Sequence, residues 1–251
     1  MHVVAIPAFN DNYIWLVCVG NCAVAIDPGC AAPLLSYIKR YQIYLEAILI
    51  THHHHDHVGG LTELTTHLTC PVYGPPGIVG VNRVVADGDR LNLSSLPLSF
   101  EVLSVPGHTL DHLAYYGESM LFCGDTLFAC GCGRLFEGVA AQLLSSLERL
   151  AALDGATQVY CAHEYTLANE RFALQVEADN AMLQRRYHDD QQRRQQQLPT
   201  LPSSIALERA TNPFLRCHEA TVAQRVQQVM ATPNTLPLTI FTALRHWKDH
   251  N

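Results

Sequence analysis

A chain of 251 residues, 48% of them hydrophobic, can bury the core of one α/β domain, with or without a smaller appendage. Its 23 acidic and 16 basic residues give a net charge of -7 at pH 7, which opposes broad electrostatic binding to nucleic acid or to an anionic membrane. Nine cysteines without a regular framework, no secretory-signal pattern and no apolar stretch near the roughly 20 residues of a membrane helix predict a soluble protein of the reducing cytoplasm.

The first part of the chain predicts a meander of short strands and then a helix. Segments rich in Val, Ile and aromatic residues alternate with turn formers such as Gly20-Asn21. The predicted strands cover residues 3–6, 13–19 and 22–27. Pro33 opens a predicted helix, and the apolar run at residues 47–50 predicts a buried strand after it.

The most informative stretch follows that strand and reads Thr-His-His-His-His-Asp-His-Val-Gly-Gly over residues 51–60. Side chains of an extended segment alternate, so His52 and His54 face the same way. Asp56 and His57 lie where the backbone turns into a predicted helix, so they can face a second point. Imidazole and carboxylate are ligands for Zn²⁺, Fe²⁺ and Mn²⁺. This H-x-H-x-D-H spacing therefore predicts half of a two-metal site.

Three residues near this motif are not predicted to be metal ligands. The same alternation sends His53 and His55 to the other side, which favours packing or support over ligation. Asp27, at the end of a predicted strand, either orients a metal-bound imidazole or forms a plain turn.

The middle of the chain predicts a second sheet. Residues 71–73 form a predicted strand, and residues 83–85, 90–93 and 98–105 are expected to form an antiparallel sheet. The expected fold class is α+β, because two sheets with helices outside them are compatible with a four-layer sandwich. Composition alone does not distinguish this arrangement from an ordinary α/β sheet.

Three further predicted strands end in a small residue that a metal-type ligand follows. Residues 98–105 precede His108, residues 119–123 precede Asp125, and residues 158–161 precede His163. One such case would more often be a turn. Their repetition beside the H-x-H-x-D-H motif favours ligation, because α/β sheets place ligand sites outside the carboxyl ends of their strands.

Beyond Tyr165 the pattern becomes helical. One or two helices are predicted over residues 172–194, a helix with Val222, Val226 and Val229 on one face follows, and a last helix covers residues 238–248. The predicted domains are residues 1–163 and residues 164–251.

These motifs resemble the metallo-β-lactamase superfamily and, within it, glyoxalase II, the hydroxyacylglutathione hydrolases. The H-x-H-x-D-H motif is common to the superfamily, whereas Cys132-Gly133-Arg134, His163-Glu164-Tyr165-Thr166 and the pair Arg245 and Lys248 resemble the glutathione thioesterases. The resemblance implies an αβ/βα four-layer sandwich as the catalytic domain, followed by a helical substrate-binding domain.

The resemblance also implies two divalent metal ions per chain, with zinc favoured and iron or manganese as alternatives. By position, the ligands of one ion are His52, His54 and His108, those of the other are Asp56, His57 and His163, and Asp125 bridges them. Asp56 and Asp125 are the implied catalytic residues. The positions that match glutathione contacts are Arg134, Tyr165, Arg245 and Lys248. Arg245 and Lys248 share a helix face, where they either bind the glycine carboxylate or merely complement the helix dipole.

The implied reaction is hydrolysis of S-D-lactoylglutathione and related 2-hydroxyacylglutathiones, which gives D-lactate and glutathione in the second step of methylglyoxal detoxification. The expected partner is this small-molecule thioester, with no nucleic acid, no membrane and a monomeric chain. Two alternatives remain open: a persulfide dioxygenase with one iron, and a non-catalytic metal-binding module.

Three positions depart from the family pattern. Asp111 stands where relatives carry glycine, Phe136 where some carry tyrosine, and Cys130 where a small residue is common. Cys130 and Cys132 resemble a redox pair, but a single intervening residue makes a disulfide geometrically difficult, so thiols are expected.

Overall fold

The computed structural model describes residues 1–93 and 96–251, and the chain divides into two compact units. Unit 1 comprises Met1–Ser104 and Asp111–Gly124, and unit 2 comprises Val105–Leu110 and Asp125–Asn251. The boundary predicted near residue 164 concerns function, and it stays a prediction.

The first sheet of unit 1 has six strands that neighbour one another in chain order. They are β1 (His2–Ala8), β2 (Asn12–Val19), β3 (Cys22–Ile26), β4 (Tyr44–Leu49), β5 (Val72–Gly74) and β6 (Arg83–Val84). The first three strands are antiparallel, and β3 to β6 are parallel. Parallel neighbours need long crossovers, which contain α1 (Ala31–Tyr41), α2 (His55–Val58) and α3 (Leu61–His67).

The central strands β2 and β4 are buried on both faces, which explains their almost continuous apolar sequence. On one face, Leu34 and Ile38 of α1 and Leu61 and Leu64 of α3 belong to the same hydrophobic core as the sheet. This packing fixes the carboxyl end of β4, from which the histidine motif emerges.

The second sheet of unit 1 is antiparallel. Its strands in spatial order are β10 (Met120–Gly124), β9 (Leu113–Gly117), β8 (Leu98–Ser104) and β7 (Arg90–Leu93). Tyr115 of β9 is fully buried and donates a hydrogen bond to the carbonyl of Ile50, 2.7 Å away. This bond fixes β9 against the segment that follows β4.

The prediction that residues 83–85 belong to the second sheet was wrong. β6 pairs with β5 in the first sheet, with Tyr73 opposite Arg83. Asn82 determines this pairing, because its side-chain oxygen accepts from the amide of Val72 at 3.0 Å and its own amide donates to the Val72 carbonyl at 3.1 Å. Two exposed residues carry no alternation from which such a partner could be predicted.

Unit 2 is mainly helical. Its strands are β11 (Leu127–Phe128), β12 (Gly131–Cys132), β13 (Gln158–Cys161) and β14 (Ser203–Ser204). Its helices are α4 (Ala140–Ala151), α5 (Thr166–Val176), α6 (Ala181–Gln195), α7 (Ile205–Thr211), α8 (Ala220–Met230) and α9 (Pro237–Asp249), with a 3₁₀ turn at Pro213–Leu215. The α+β class and the helical carboxyl-terminal region are confirmed. Among the described residues, none of the helices is both long enough and apolar enough to span a membrane.

Two details of unit 2 differ from the sequence prediction. Residues 140–151 carried no predicted element, yet they form α4 with Leu143, Leu147 and Leu150 fully buried at helical spacing. Val229 was predicted on the buried face of α8 but is 41% exposed, because it lies in the last turn, next to the helix end at Met230.

Aromatic rings join the helices of unit 2. Phe172 of α5 stacks on Phe214 of the 3₁₀ turn with ring centroids 6.2 Å apart, and Phe241 of α9 contacts Phe214 edge-on at 5.9 Å. Trp247 of α9 meets Phe172 at 5.3 Å. These contacts fix the face of α9 that carries Arg245 and Lys248.

Candidate active site

Four of the predicted metal ligands gather in unit 1 at the end of β4. The backbone stays extended through His54 (φ -60°, ψ 145°) and then turns into α2, which carries Asp56 and His57. The ring centroid of His52 lies 4.7 Å from that of His54 and 4.1 Å from that of His57. Nε2 of His57 is 3.4 Å from Oδ2 of Asp56. His52 and His57 are fully buried, whereas His54 is half-buried and the Asp56 side chain is 39% exposed, so the compact set is open on the side of Asp56.

Asp27 decides which nitrogen of two imidazoles is available as a metal ligand. Its Oδ2 accepts from Nδ1 of His57 at 3.0 Å and from the hydroxyl of Thr51 at 2.7 Å. Because the single hydroxyl hydrogen of Thr51 is used in this way, Nδ1 of His52, 3.0 Å away, must donate to the hydroxyl oxygen. Both imidazoles therefore present the Nε2 lone pair. Of the two interpretations of Asp27, the structure shows the orienting contact.

The loop between β3 and α1 approaches α2 so closely that position 29 requires glycine. A Cβ atom there would lie 1.7 Å from the carbonyl oxygen of Asp56. On the other side, Asp56 Oδ2 accepts a hydrogen bond from Asn12 Nδ2 at 2.9 Å. Backbone and side chain of Asp56 are thus both fixed by neighbours.

The other three predicted ligands meet in unit 2. Asp125 lies between two imidazoles, with Oδ2 3.4 Å from Nε2 of His108 and Oδ1 3.3 Å from Nε2 of His163. Nδ1 of His108 donates to the carbonyl of Arg134 at 2.9 Å, so the neutral ring turns its Nε2 lone pair toward the carboxylate. Two electron-pair donors that face each other repel unless a cation or a proton lies between them. These residues therefore fit a divalent metal ion.

A cavity of about 440 Å³ in unit 2 adjoins Asp125. Besides Asp125 and His108, its lining includes all four residues predicted to contact the substrate: Arg134, Tyr165, Arg245 and Lys248. The volume lies in the usual range for small-molecule sites, and the lining brings metal-type donors and cations into one cavity.

Two cations of α9 line this cavity in fixed positions. Arg245 is 4% exposed, donates to the Cys132 carbonyl at 2.9 Å and to Asp249 at 2.8 Å, and lies over the ring of Phe214. Lys248 lies 4.8 Å above the ring centre of Phe172. Burial, followed by the charge of Arg245, lowers the pKa of Lys248 to about 8. A buried arginine beside a half-buried lysine suits an anionic group of a ligand.

Aromatic residues form the remaining wall of the cavity. The Tyr165 ring stacks on His163 with centroids 4.6 Å apart, and Phe128 contacts both rings edge-on. Phe136 is 64% exposed and meets His108 edge-on at 5.2 Å. The substitution of phenylalanine for tyrosine therefore keeps the ring at this wall and removes a hydroxyl group.

The other two departures from the family pattern also have defined places. Asp111 accepts from Nδ1 of His53 at 2.9 Å in unit 1, so its carboxylate interacts with a histidine outside the predicted ligand set. Cys130 and Cys132 are buried thiols, as predicted. Burial raises the pKa of both, to about 11 for Cys132, so neither is a thiolate at neutral pH.

Three residues of unit 1 support the motif but were outside the predicted set. Thr51 and Asn12 make the contacts described above, and His112 stacks on His52 with centroids 4.5 Å apart. Thr51 precedes the motif directly and could have been proposed from its position at a strand end. Asn12 gave no such signal, because 44 residues separate it from Asp56.

Family models match almost the whole chain. The model described as "Metallo-beta-lactamase superfamily" matches residues 8–83 and 77–163, and the one described as "Hydroxyacylglutathione hydrolase C-terminus" matches residues 164–251. The hydroxyacylglutathione hydrolase of Nitrosomonas eutropha is 49% identical over 99% of this chain and 98% of its own length. The protein of that name from Aeromonas hydrophila is 50% identical and covers 98% of both chains.

Solved structures show the same fold. ETHE1 from Myxococcus xanthus has a TM-score of 0.67 and 25% identity, and covers 99% of this chain and 98% of its own. TTHA1623, crystallised in a di-iron-bound form, has a TM-score of 0.61 and 27% identity over 86% of this chain and all of its own. The BLEG-1 B3 metallo-beta-lactamase, 23% identical, has a TM-score of 0.65 over 85% of this chain and 99% of its own. These similarities confirm the predicted four-layer αβ/βα fold.

Proposed function

The chain belongs to the hydroxyacylglutathione hydrolase family of the metallo-β-lactamase superfamily, and we propose that its substrate is S-D-lactoylglutathione, hydrolysed to D-lactate and glutathione. One observation carries the choice of substrate: the cavity of unit 2 is lined both by His108 and Asp125 and by Arg134, Arg245 and Lys248. Metal-type donors beside a cationic wall suit the thioester of an anionic peptide thiol.

The fold and its histidine and aspartate side chains indicate metal binding, and we propose two divalent ions per chain. The proposed ligands are His52, His54 and His108 for one ion, and Asp56, His57 and His163 for the other, with Asp125 shared. The Nε2 lone pairs fixed by Asp27, Thr51 and the Arg134 carbonyl support this assignment. Nitrogen and oxygen donors suit zinc first, with iron or manganese as alternatives.

When bound, such ions polarise a thioester carbonyl and lower the pKa of a water molecule towards about 7. Asp56, fixed by Asn12, orients the attacking water, and Asp125 holds the donor set together. The leaving group is a thiolate, whose conjugate acid has a pKa near about 8.5, so the reaction needs no separate general acid.

The residues of the cavity wall bind the glutathione part of the substrate. Arg245 and Lys248 donate hydrogen bonds to its glycine carboxylate. Burial of Arg245 and the aromatic ring below each cation keep the pair in position. Tyr165 and Arg134 contact the rest of the peptide from the same cavity.

The test is an absorbance assay for loss of S-D-lactoylglutathione, run with and without a chelator and combined with metal quantitation. We expect turnover with two metal ions per chain and its loss after chelation. One iron per chain, with oxygen consumption on glutathione persulfide and no thioester cleavage, would establish the dioxygenase alternative. Bound metal with no turnover of any thioester would establish the metal-binding module.

Two substitutions separate metal binding from substrate binding. Asp125→Ala should abolish metal loading and turnover together, whereas Arg245→Ala should mainly raise KM. If Asp125→Ala kept both metal ions and the normal rate, the shared-ligand assignment would be wrong.

We also propose that residues 1–163 form the catalytic domain and residues 164–251 the substrate-binding domain. The family models support this division, because one ends at residue 163 and the other begins at residue 164. The monomeric state stays a prediction, as does the cytoplasmic location, which was predicted from the cysteine pattern.

A further inference from the structure

A short hairpin consists of β11, β12 and the turn between them (residues 127–132). In the cavity of unit 2, it connects Asp125 to the part of the wall that contains Arg134. Asp125 lies just before it, and Cys132 and Arg134 lie at its end. Cys130 in its turn has a φ of 53°, a backbone conformation that non-glycine residues seldom adopt. The surrounding structure must therefore hold the hairpin in this conformation.

Side chains of α5, of α7 and of Asn212, which follows α7, hold four consecutive residues of this hairpin by their backbone groups. Asn212 Nδ2 donates to the carbonyls of Phe128, at 3.1 Å, and Gly131, at 2.9 Å. Asn169 Nδ2 donates to the Ala129 carbonyl at 3.0 Å, and the Cys130 amide donates to Oε2 of Glu208 at 2.8 Å. Glu208 and Asn212 are fully buried.

The approach of the helices to the hairpin is close enough to require glycine at position 131. A Cβ atom there would lie 2.5 Å from Nδ2 of Asn169. The hairpin is therefore held by direct contact as well as by hydrogen bonds.

Glu208 has a second partner on its other oxygen. Oε1 accepts from Nη2 of Arg186 at 2.8 Å and from the hydroxyl of Ser203, while Oε2 serves the hairpin. A buried carboxylate is costly unless an opposite charge and hydrogen bonds satisfy both oxygens. An apolar residue at this position could supply packing, but it could not serve the arginine and the Cys130 amide together.

We propose that Glu208 and Asn212 are positioning residues of the hydrolase. By fixing residues 128–131, they hold Asp125, which precedes the hairpin, in position. They also hold the last residue of the hairpin, Cys132, whose carbonyl accepts a hydrogen bond from Arg245. The kinetic consequence rests on the proposed function, whereas the control of hairpin conformation does not.

Two substitutions remove these contacts while leaving other bonds of the same side chains in place. In Glu208→Gln, the single amide oxygen is retained by Arg186, so the amide nitrogen faces the donor of Cys130. In Asn212→Asp, the side chain keeps the oxygen that accepts from the Phe214 amide at 3.1 Å. It loses the donor that serves the hairpin carbonyls and Oε2 of Glu208, 3.0 Å away. The matched control is Glu177→Gln, which weakens another buried ion pair of unit 2, that of Glu177 with Arg216 at 2.7 Å.

The variants are purified with bound metal and compared with wild type by amide hydrogen exchange and steady-state kinetics. We expect faster exchange in the peptide that contains residues 127–132 for Glu208→Gln and Asn212→Asp, and wild-type exchange there for Glu177→Gln. We also expect a raised KM and kcat/KM lower by about tenfold or more, on the scale seen when supporting residues of a metal site are removed.

Hairpin exchange or KM equal to that of the Glu177→Gln control would overturn the proposal. If Glu208→Gln or Asn212→Asp does not fold, Asn212→Ala decides the question, because it removes the donor to the hairpin without placing a second carboxylate next to Oε2 of Glu208, which lies 3.0 Å from Nδ2 of Asn212. If wild type cleaves no thioester, the proposed function fails, and the exchange measurement still decides whether these two residues control the hairpin.

Discussion

In the buried imidazoles of this protein, Nδ1 donates a hydrogen bond and Nε2 is left as the possible metal ligand. The hydrogen-bond partner of Nδ1 determines this arrangement. Nδ1 of His57 donates a hydrogen bond to a carboxylate, and Nδ1 of His108 donates one to a backbone carbonyl. Nδ1 of His52 donates to a hydroxyl whose own hydrogen is already used. Each ring therefore presents Nε2 in the state that a metal ion requires. Asp27 has the largest share in this arrangement, because it contacts both His57 and Thr51.

Asp27→Asn should weaken metal binding without removing any proposed ligand. The uncharged amide is a poorer acceptor for His57 Nδ1, and the ring loses its preferred orientation and basicity. We expect metal affinity to fall by about 10- to 100-fold, with activity recovering when metal is added in excess. Titration of the metal-free variant with zinc, followed by a competing chromophoric chelator, measures this change. Wild-type affinity in the variant would show that Asp27 only stabilises the turn.

Lys248 should make substrate binding depend on pH near 8. Its pKa is lowered to about 8 by burial and then by Arg245, so the ammonium loses its proton as the pH rises through that value. A neutral amine no longer attracts a carboxylate, and KM should therefore rise above about pH 8. Lys248→Arg keeps its charge and should show a flat KM over the same range. Parallel KM profiles for the two proteins, measured between about pH 6.5 and 9.5, would contradict the assignment.

Which site residues could be predicted from the sequence depended on how far their partners lie along the chain. The seven proposed metal ligands follow strand ends, and the alternation rule distinguishes His52 and His54 from His53 without any tertiary information. The contacts of Asn12 with Asp56 and of Asp27 with His57 join segments 44 and 30 residues apart. No local pattern specifies such pairs, so only the folded chain shows them.

At the scale of elements, helices α5, α6 and α7 enclose an excess of buried acidic groups. Glu170, Asp190 and Glu208 surround the single guanidinium of Arg186. One cation cannot neutralise three carboxylates, and burial raises the pKa of Glu170 to about 9. Burial raises the pKa of Asp190 as well, so Glu170 and Asp190 together hold an extra proton in the folded protein at neutral pH.

Glu170→Gln should remove a pH dependence of stability. The folded protein holds a proton on Glu170 between the ordinary value of about 4.5 and its raised value of about 9, and the unfolded chain does not. Stability must therefore decline as the pH rises through this window. Glutamine keeps a neutral donor but cannot titrate, so the variant should gain stability relative to wild type from about pH 6 to 9. Urea midpoints measured across this range test the prediction. A constant difference between the two curves would contradict it.

Helices and strands could be predicted from the sequence where they are long enough for the periodic spacing of buried residues to repeat. The strands of the first meander and the helices of unit 2 have such periods. The β6, β11 and β12 strands have two residues each. Particular hydrogen bonds hold them: the side chains of Asn82 and Glu208 accept from backbone amides, and that of Asn212 donates to a backbone carbonyl. The place of β6 in the first sheet therefore could not be predicted from its own residues.

At the scale of the whole molecule, compactness and function divide the chain differently. The compact units interleave, because Val105–Leu110 belongs with the segment that begins at Asp125. A discontinuous division of this kind depends on contacts among distant segments. It therefore cannot be predicted from the local composition of the chain. The proposed functional boundary near residue 164 rests on a change from strand to helix patterning, which is visible in the sequence.

Removal of the metal should lower the stability of the whole chain. The proposed ligands come from four separate segments, at residues 52–57, 108, 125 and 163, so an ion that binds them favours the folded state over the unfolded chain. Metal at 1,000 times its dissociation constant would contribute about 4 kcal/mol. For a chain of this length, the melting temperature should then fall by roughly 8 to 16 °C after chelation and return when zinc is added.

Asp125→Ala serves as the control for this measurement, since it lacks the proposed shared ligand. Its melting temperature should respond little to chelator or to zinc, whereas Glu177→Gln, which alters no proposed ligand, should respond as wild type does. An equal response to chelator in wild type and Asp125→Ala would mean that the stabilising ion binds elsewhere, because the same free energy of binding cannot come from a site that has lost its central carboxylate.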